Sequence, residues 1–488
     1  MKSDNEYNDV RHLISRAGFG FSPKAYQIAQ NKNRNVVIRQ IFKEAKEFQP
    51  LTLVSPPEVE PPSRYQMTMD PAERKKQNQE KFKMMREQIE QMNDLWFKRM
   101  QGNIFGLREK MTLFWHGHFA CRSNNSYFVQ QYYNTLHNNA LGNFGDLLVA
   151  VSKTPAMLEF LNNQQNRKAH PNENFAREVM ELFTLGRGYY TENDIKESAR
   201  AFTGWGFNNK GEFVFREKQH DDDSKTFLTR TGNFTGDDVL AIILKQPETS
   251  LFITKKIYRY FVNETPDDDL VGELASGFRK SNYDIAKLLH TIFTSDWFYK
   301  EKNKGVLIKS PIELLSNIMR VNEVDVGKET VLIQFQRILG QMLFNPPNVA
   351  GWKGGKSWID SSSLLMRMRL PEIFYYDKEF LIQPKITGGD LDSDFYAAEM
   401  AQERINENYL KQAHQRVGAV MNWEPYLAIF EQVPQERLFD VISALHLDTN
   451  KLSVSKEAVE SSVDKSTKAN YIKGVTTLLM STPEYQMS

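Results

Sequence analysis

Asn174, Arg177, Glu178 and Glu181 stand three and four residues apart. At a 3.6-residue period they share one polar arc of a helix, with Phe175, Val179, Met180, Leu182 and Phe183 largely opposite. Arg177 with Glu181, and Asn174 with Glu178, are i, i+4 pairs that can touch. Two carboxylates on one face could act as general acid and general base, or ligate a cation, if a dry pocket holds them. The spacing Glu178-x-x-Glu181 lacks the histidine that di-iron helical bundles use. A solvated face, or a seam of ion pairs between helices, is the other reading of the pattern. Glu197 and Arg200 form an i, i+3 pair on the next helix and meet the first face if the Gly186-to-Thr191 link folds the two into a helical hairpin. That arrangement places Arg177 near Glu197.

His116 and His118 flank Gly117 in Trp115-His116-Gly117-His118-Phe119. In an extended or helix-terminal conformation they share a side, as a zinc chelate requires, and a third ligand would come from His220 or Glu178. The alternative is a pair of hydrogen-bonded histidines packed among aromatic rings. Asp221-Asp222-Asp223 lacks the pattern of a calcium loop. Gly351-Trp352-Lys353-Gly354-Gly355 leads to Trp358, and such a turn could let a sugar ring stack on an aromatic face. Tryptophans held in a core around a tight turn are the competing explanation. Gly355-Lys356-Ser357 mimics the end of a P-loop, but Ala350 stands at the required first glycine and no β-branched strand precedes it. The chain has no Gly-x-Ser-x-Gly elbow, no His-Glu-x-x-His and no dinucleotide fingerprint.

The elements that must position these residues read as helices nearly throughout. Ser22-Pro23 and Asp70-Pro71 each pair an N-cap with proline at the first helical position. Asp70 opens a long mixed-charge helix to about Met100, and Leu107 to Phe119 is apolar enough to be buried. Helical periodicity runs from Phe128 to Val151, and Thr191-Glu192-Asn193-Asp194 is a capping signature before the stripe of Ile195, Ala199 and Phe202. Between 206 and 232 the pattern changes. Phe207 and Phe213-Val214-Phe215 flank Asn208-Asn209-Lys210-Gly211, which predicts a hairpin, and Phe227-Leu228 suggests a further short strand. Helices resume from Gly236 to Ser295 and from Pro311 to about Phe344. Residues 370–390 are ambiguous, and 393–488 reads as helical with a polar break at 451–468.

Sixty-two Lys and Arg against 61 Asp and Glu leave a net charge of +1, so no global field recruits nucleic acid. The single cysteine, Cys121, excludes an intramolecular disulfide and a Cys-rich zinc site. No apolar run is long enough to span a bilayer. The charged start Met1–Glu6 reads as cytoplasmic, and as exported if a leader has been removed.

Several blocks stand in order along the chain: His12-Leu13-Ile14-Ser15-Arg16-Ala17-Gly18-Phe19-Gly20, Leu107 to Ala120, Asn172 to Trp205, His220-Asp221 with Lys225-Thr226-Phe227-Leu228, and Asn345 to Gly355 followed by Trp358 and Arg367. Together, over roughly residues 8 to 372, they resemble the DUF1800 family, a bacterial family named for its unknown function. The resemblance implies a largely helical bacterial protein, often exported, and carries no chemistry onto any residue.

The expected fold is mainly α, a multihelical domain with a small antiparallel β hairpin insertion. Residues 1–49 form an N-terminal helical segment, 50–70 a proline-rich connection, 71–372 a DUF1800-like helical core with its β insertion near 206–232, and 373–488 a C-terminal helical region. The expected function is a hydrolase acting on a polar, glycan-type substrate. Glu178, Glu181 and Arg177 are the candidate catalytic residues. Asn174, Arg200, Trp205, Trp352 and Trp358 are candidates for substrate binding, and His116, His118 and His220 for a divalent metal. A non-catalytic binding or scaffold protein with a structural charge cluster is the alternative.

Overall fold

The computed structural model describes residues 4–57, 70–327, 329–381, 414–448 and 453–488. Three helices open the chain: α1 (Asp4–Ala17), α2 (Pro23–Asn31) and α3 (Arg34–Glu44). The long α4 (Pro71–Gly102) follows, then α5 (Leu107–His118), α6 (Ser126–Asn139), α7 (Phe144–Ser152) and α8 (Pro155–Phe160). Next come α9 (Asn174–Glu178), which continues as a π-helical turn Val179–Thr184, and α10 (Glu192–Ala201). After the β insertion stand α11 (Gly236–Leu244), α12 (Pro247–Phe261), α13 (Asp268–Lys280) and α14 (Ile285–Thr294). The rest comprises α15 (Pro311–Val321), α16 (Glu329–Leu339), α17 (Ser361–Tyr375), α18 (Glu424–Ala428), α19 (Leu438–His446), α20 (Lys456–Ser461) and α21 (Lys468–Met480).

Local chemistry sets most of these boundaries. The Ser22 side chain accepts from Ala25 N–H with Pro23 behind it, and Asp70 caps α4 ahead of Pro71. Thr191 and Asp194 close a reciprocal capping box on α10. The helical run expected from Phe128 to Val151 is broken between α6 and α7, where Asn143 caps a new helix. Helix α17 continues through Pro371 into the stretch whose pattern was ambiguous. The helix expected from 393 onward lies outside the described residues as far as 413 and gives way to shorter helices beyond 424.

The β insertion contains two hairpins. β1 (Trp205–Phe207) pairs antiparallel with β2 (Phe213–Phe215), in register Trp205 to Phe215, around the Asn208–Gly211 turn. β3 (Lys225–Phe227) pairs with β4 (Arg230–Gly232). A third antiparallel pair, β5 (Phe380–Leu381) with β6 (His414–Gln415), lies outside the expected insertion.

Apolar side chains gather in two clusters. One takes residues from Val10 to Tyr299, and Cys121 is buried within it. The other joins Phe19, Tyr26 and the buried half of α4 to α15, α16, α17 and the C-terminal helices. In α4, only the second half carries buried residues, Met92 to Met100. Arg320 of α15 is fully buried and donates to the carbonyls of Met100 (2.9 Å), Gln101 (3.0 Å), Asn103 (2.6 Å) and Ile104 (2.7 Å). It thereby satisfies acceptors that the end of α4 leaves open. Among the described residues no helix is long and apolar enough to cross a membrane.

Candidate functional site

The π turn that follows Glu178 is fixed from its own sequence and from two neighbouring helices. Thr184 Oγ1 donates to Val179 O at 2.6 Å, five residues back, which matches the wider turn. The Leu185 and Gly186 amides both donate to Met180 O, at 2.9 and 3.0 Å. His118 Nε2–H donates to Phe183 O (3.0 Å), while Lys256 Nζ donates to Leu182 O and to His118 Nδ1, both at 3.1 Å. A carbonyl on one nitrogen and an ammonium on the other fix the imidazole as the Nε2–H tautomer. Burial, and then Lys256, holds His118 well below the ordinary histidine range, and burial lowers Lys256 to about 8.

At the head of this turn the two carboxylates differ. Glu181 accepts from Arg187 Nε at 2.6 Å and from the Tyr190 hydroxyl at 3.1 Å. Glu178 is half-buried and makes no hydrogen bond or ion pair to any described residue. Burial, and then the neighbouring Glu181 charge, pushes the Glu178 carboxyl above its ordinary range. Arg177 turns instead to α10, donating to both Glu192 oxygens (3.0 and 2.9 Å) and to Glu173 (3.3 Å). α9 and α10 do pack together, with Arg177 reaching Glu192 in the first turn of α10. Glu197 pairs with Arg200, whose guanidinium also grips Asp221 at 2.7 and 3.1 Å. Glu197 further accepts from Thr226 N–H at 2.9 Å, which fastens β3 to α10. Asn174 is exposed, and its Nδ2 donates to Leu161 O at 3.3 Å.

A family model described as "Protein of unknown function (DUF1800)" matches residues 12–487. The chain belongs to the DUF1800 family. Neither a curated protein nor a solved structure matches it.

In this DUF1800 chain the three histidines offered as metal ligands do not converge. His116 is fully buried, and its Nε2 accepts from Phe344 N–H at 3.2 Å. His118 spends Nε2 on the π turn and Nδ1 on Lys256 of α12. His220 Nδ1–H donates to Thr203 O at 2.9 Å beside the β insertion. Among the described residues no three His, Cys, Asp or Glu side chains assemble as a cation site. His116, pushed down to about 3 by burial, belongs to an aromatic cluster with Trp96 and Phe344 and stacks on Trp352 at 5.4 Å.

The tryptophans take different places. Trp352 is half-buried with one face on His116. Trp358 is buried, and Trp205 packs against Phe202 and Phe213 in the core. Gly351 explains how the Trp352 turn reaches α5. Its φ is +72°, and a Cβ there would lie 2.2 Å from Gly117 O, so two DUF1800 motif blocks meet backbone to backbone. Of the expected pocket, the structure brings together Glu178 and Glu181 with Arg177 alongside, keeps His118 on the backbone of the same π turn, and sends His116, His220, Arg200, Trp205 and Trp358 elsewhere. Lys256 lies outside the motif blocks, and Arg187 and Tyr190 stand in the link between the two helices of the Asn172–Trp205 block. They became visible only through the carbonyls and carboxylates they meet.

Proposed function

We propose that this DUF1800 protein is a hydrolase of a polar, glycan-type substrate in which Glu178 donates the proton and Glu181, held by Arg187 and Tyr190, is its partner carboxylate. One observation carries the reading: two neighbouring carboxylates sit in opposite environments. Glu178 has no donor and is pushed toward its protonated form, whereas Glu181 is held by Arg187 and Tyr190. Splitting two carboxyl groups in this way is how glycoside-cleaving sites obtain an acid and a base at one pH. Their position at an α-to-π junction adds support, since such junctions recur at functional sites. Arg187 is exposed and Tyr190 half-buried, so substrate has access to this side of the turn.

A non-catalytic scaffold is the second reading, favoured by the closed ion pairs of Arg177 and Arg200. The two separate on Glu178→Gln and Glu181→Gln assayed against a panel of chromogenic glycosides and esters. The hydrolase reading expects wild-type turnover on at least one substrate, abolished in Glu178→Gln with an unchanged melting temperature. Turnover that survives both substitutions would sink it, and a wild-type protein inert across the panel moves the assignment to the scaffold.

A further inference from the structure

The motif His12–Gly20 plays no part in the carboxylate site, yet it walls a cavity lined by both charged and apolar groups. This cavity of about 40 Å³ is lined by Arg11, Ser15, Tyr26, Lys309, His446 and Asp448, with apolar walls from Ile14 and Phe21. It shares no residue with the Glu178 turn. On the scale of roughly 10–15 Å³ per water it has space for about three waters, close to the size of one tetrahedral oxyanion.

The charges around it do not balance. Asp448 is taken by Arg11 at 2.8 Å, and Glu313 by Lys110. Lys309 is buried, donates to Tyr485 O at 2.6 Å and makes no ion pair with a described carboxylate. Arg367, fully buried, donates to Lys309's own carbonyl (2.6 Å) and to Gln486 Oε1 (3.1 Å), and its Nη1 has no partner. Among the described residues Arg16, on the same helix as Arg11, donates to the carbonyls of Phe261 (3.4 Å) and Asn303 (2.7 Å) and to no carboxylate. Lys309 on the wall, and Arg16 and Arg367 outside it, thus feel Asp448 and Glu313 only at a distance, because Arg11 and Lys110 hold those two carboxylates. Burial accordingly lowers Lys309 to about 7, and Arg16 and Arg367 to about 10 each. Buried charges of one sign are costly until a counter-charge joins them.

Donors remain on the wall as well. Lys309, whose ammonium also lies 3.9 Å over the Tyr485 ring, has two further N–H groups beyond its bond to Tyr485 O. Tyr26 accepts from Gln30 and keeps its own hydroxyl proton to give. His446 Nε2 meets the Tyr426 hydroxyl at 2.8 Å, leaving Nδ1 without a partner among the described residues. The Ser15 hydroxyl is half-buried and also without one.

We propose that this cavity binds one small tetrahedral oxyanion of the phosphate or sulfate class, held by Lys309 with Ser15, Tyr26 and His446.

Isothermal titration of the full chain with inorganic phosphate, at constant ionic strength set by chloride, tests the proposal. The wild type should bind one phosphate saturably, and Lys309→Met should weaken binding at least about tenfold through loss of a charge-assisted contact. Because Lys309→Met alters a buried group, Ser15→Asp is the second variant. It sets a negative charge on the half-buried wall and should abolish binding with the far-ultraviolet spectrum and melting temperature retained. Sulfate should compete with phosphate, and acetate should not. The absence of saturable phosphate heat in the wild type overturns the proposal. So does binding that survives both substitutions, and so does a site that takes acetate in preference to phosphate.

Discussion

A half-buried carboxyl with no donor around it favours its proton, and Glu178 is in that position. Folding then stabilises the protonated form relative to the unfolded chain. The contribution is full below the ordinary carboxyl value of 4.5 and is lost as pH rises through the higher folded value. Glu178→Gln mimics the protonated group at every pH. At pH 7 the variant should melt no lower than the wild type, and the two curves should converge as pH falls below 4.5. A drop of several degrees at pH 7 would reveal a donor to Glu178 and remove it from acid catalysis. At this scale the sequence showed the shared face of Asn174, Arg177, Glu178 and Glu181, because helical period alone fixes it. It could not show that Arg177 would choose Glu192, which depends on the path of the Gly186–Thr191 link. His116 and His118 have the residue type and spacing of ligands, but burial engages His116 Nε2 with the Phe344 amide and both His118 nitrogens with Phe183 O and Lys256.

Among the elements, the π turn depends on groups from outside itself. Lys256→Met removes the donor to Leu182 O and to His118 Nδ1. Leaving those acceptors bare should cost about 2 kcal/mol in chemical denaturation. On the hydrolase reading it should also reduce turnover more than Michaelis affinity, because the turn sets the two carboxylates. Unchanged stability would mean that the π turn holds without its cap. Gly351→Ala meets both a left-handed φ and the Gly117 carbonyl, a backbone atom with little freedom to yield. It should cost about 2 kcal/mol or more, whereas Gly188→Ala, with open space around it, should cost less. Helix caps and the β1–β2 hairpin were legible because Ser-Pro, Asp-Pro and Asn-Asn-Lys-Gly are local signals. The π widening was not, since one turn of apolar spacing does not distinguish it from an α-helix. The β3–β4 pair was half visible, in Phe227-Leu228, while Arg230–Gly232 has no strand pattern of its own.

For the molecule as a whole, burial of neutral histidines governs acid sensitivity. Burial holds His12 and His118 well below 6.5 and lowers His116 and His446 to about 3. Their contribution to stability is full above 6.5, the value in the unfolded chain. It is lost as pH falls below 6.5, because the unfolded chain takes up protons that the folded chain refuses. Each group contributes a slope of about 1.4 kcal/mol per pH unit, so four together approach about 5 kcal/mol per unit below pH 6. Urea midpoints measured between pH 7.5 and 5 should fall steeply, and a flat profile would contradict the burial of these rings. The mainly α architecture was legible at this scale because caps and apolar stripes recur along nearly the whole chain. The gathering of cations around Lys309 was not, since Arg11, Lys309, Arg367 and Asp448 lie tens to hundreds of residues apart.

Cys121 is the only thiol in the chain and is buried in the first apolar cluster. A water-soluble disulfide reagent can therefore react only when the surrounding helices open. While reclosing outruns the reagent, the labelling rate is the opening equilibrium multiplied by the intrinsic rate of a free thiol. Each loss of about 1.4 kcal/mol should then quicken the reaction tenfold. The unmodified chain thus contains a stopwatch for its own breathing, readable under native buffer. It would rank Lys256→Met, Gly351→Ala and the phosphate-bound form without a denaturant or an added probe.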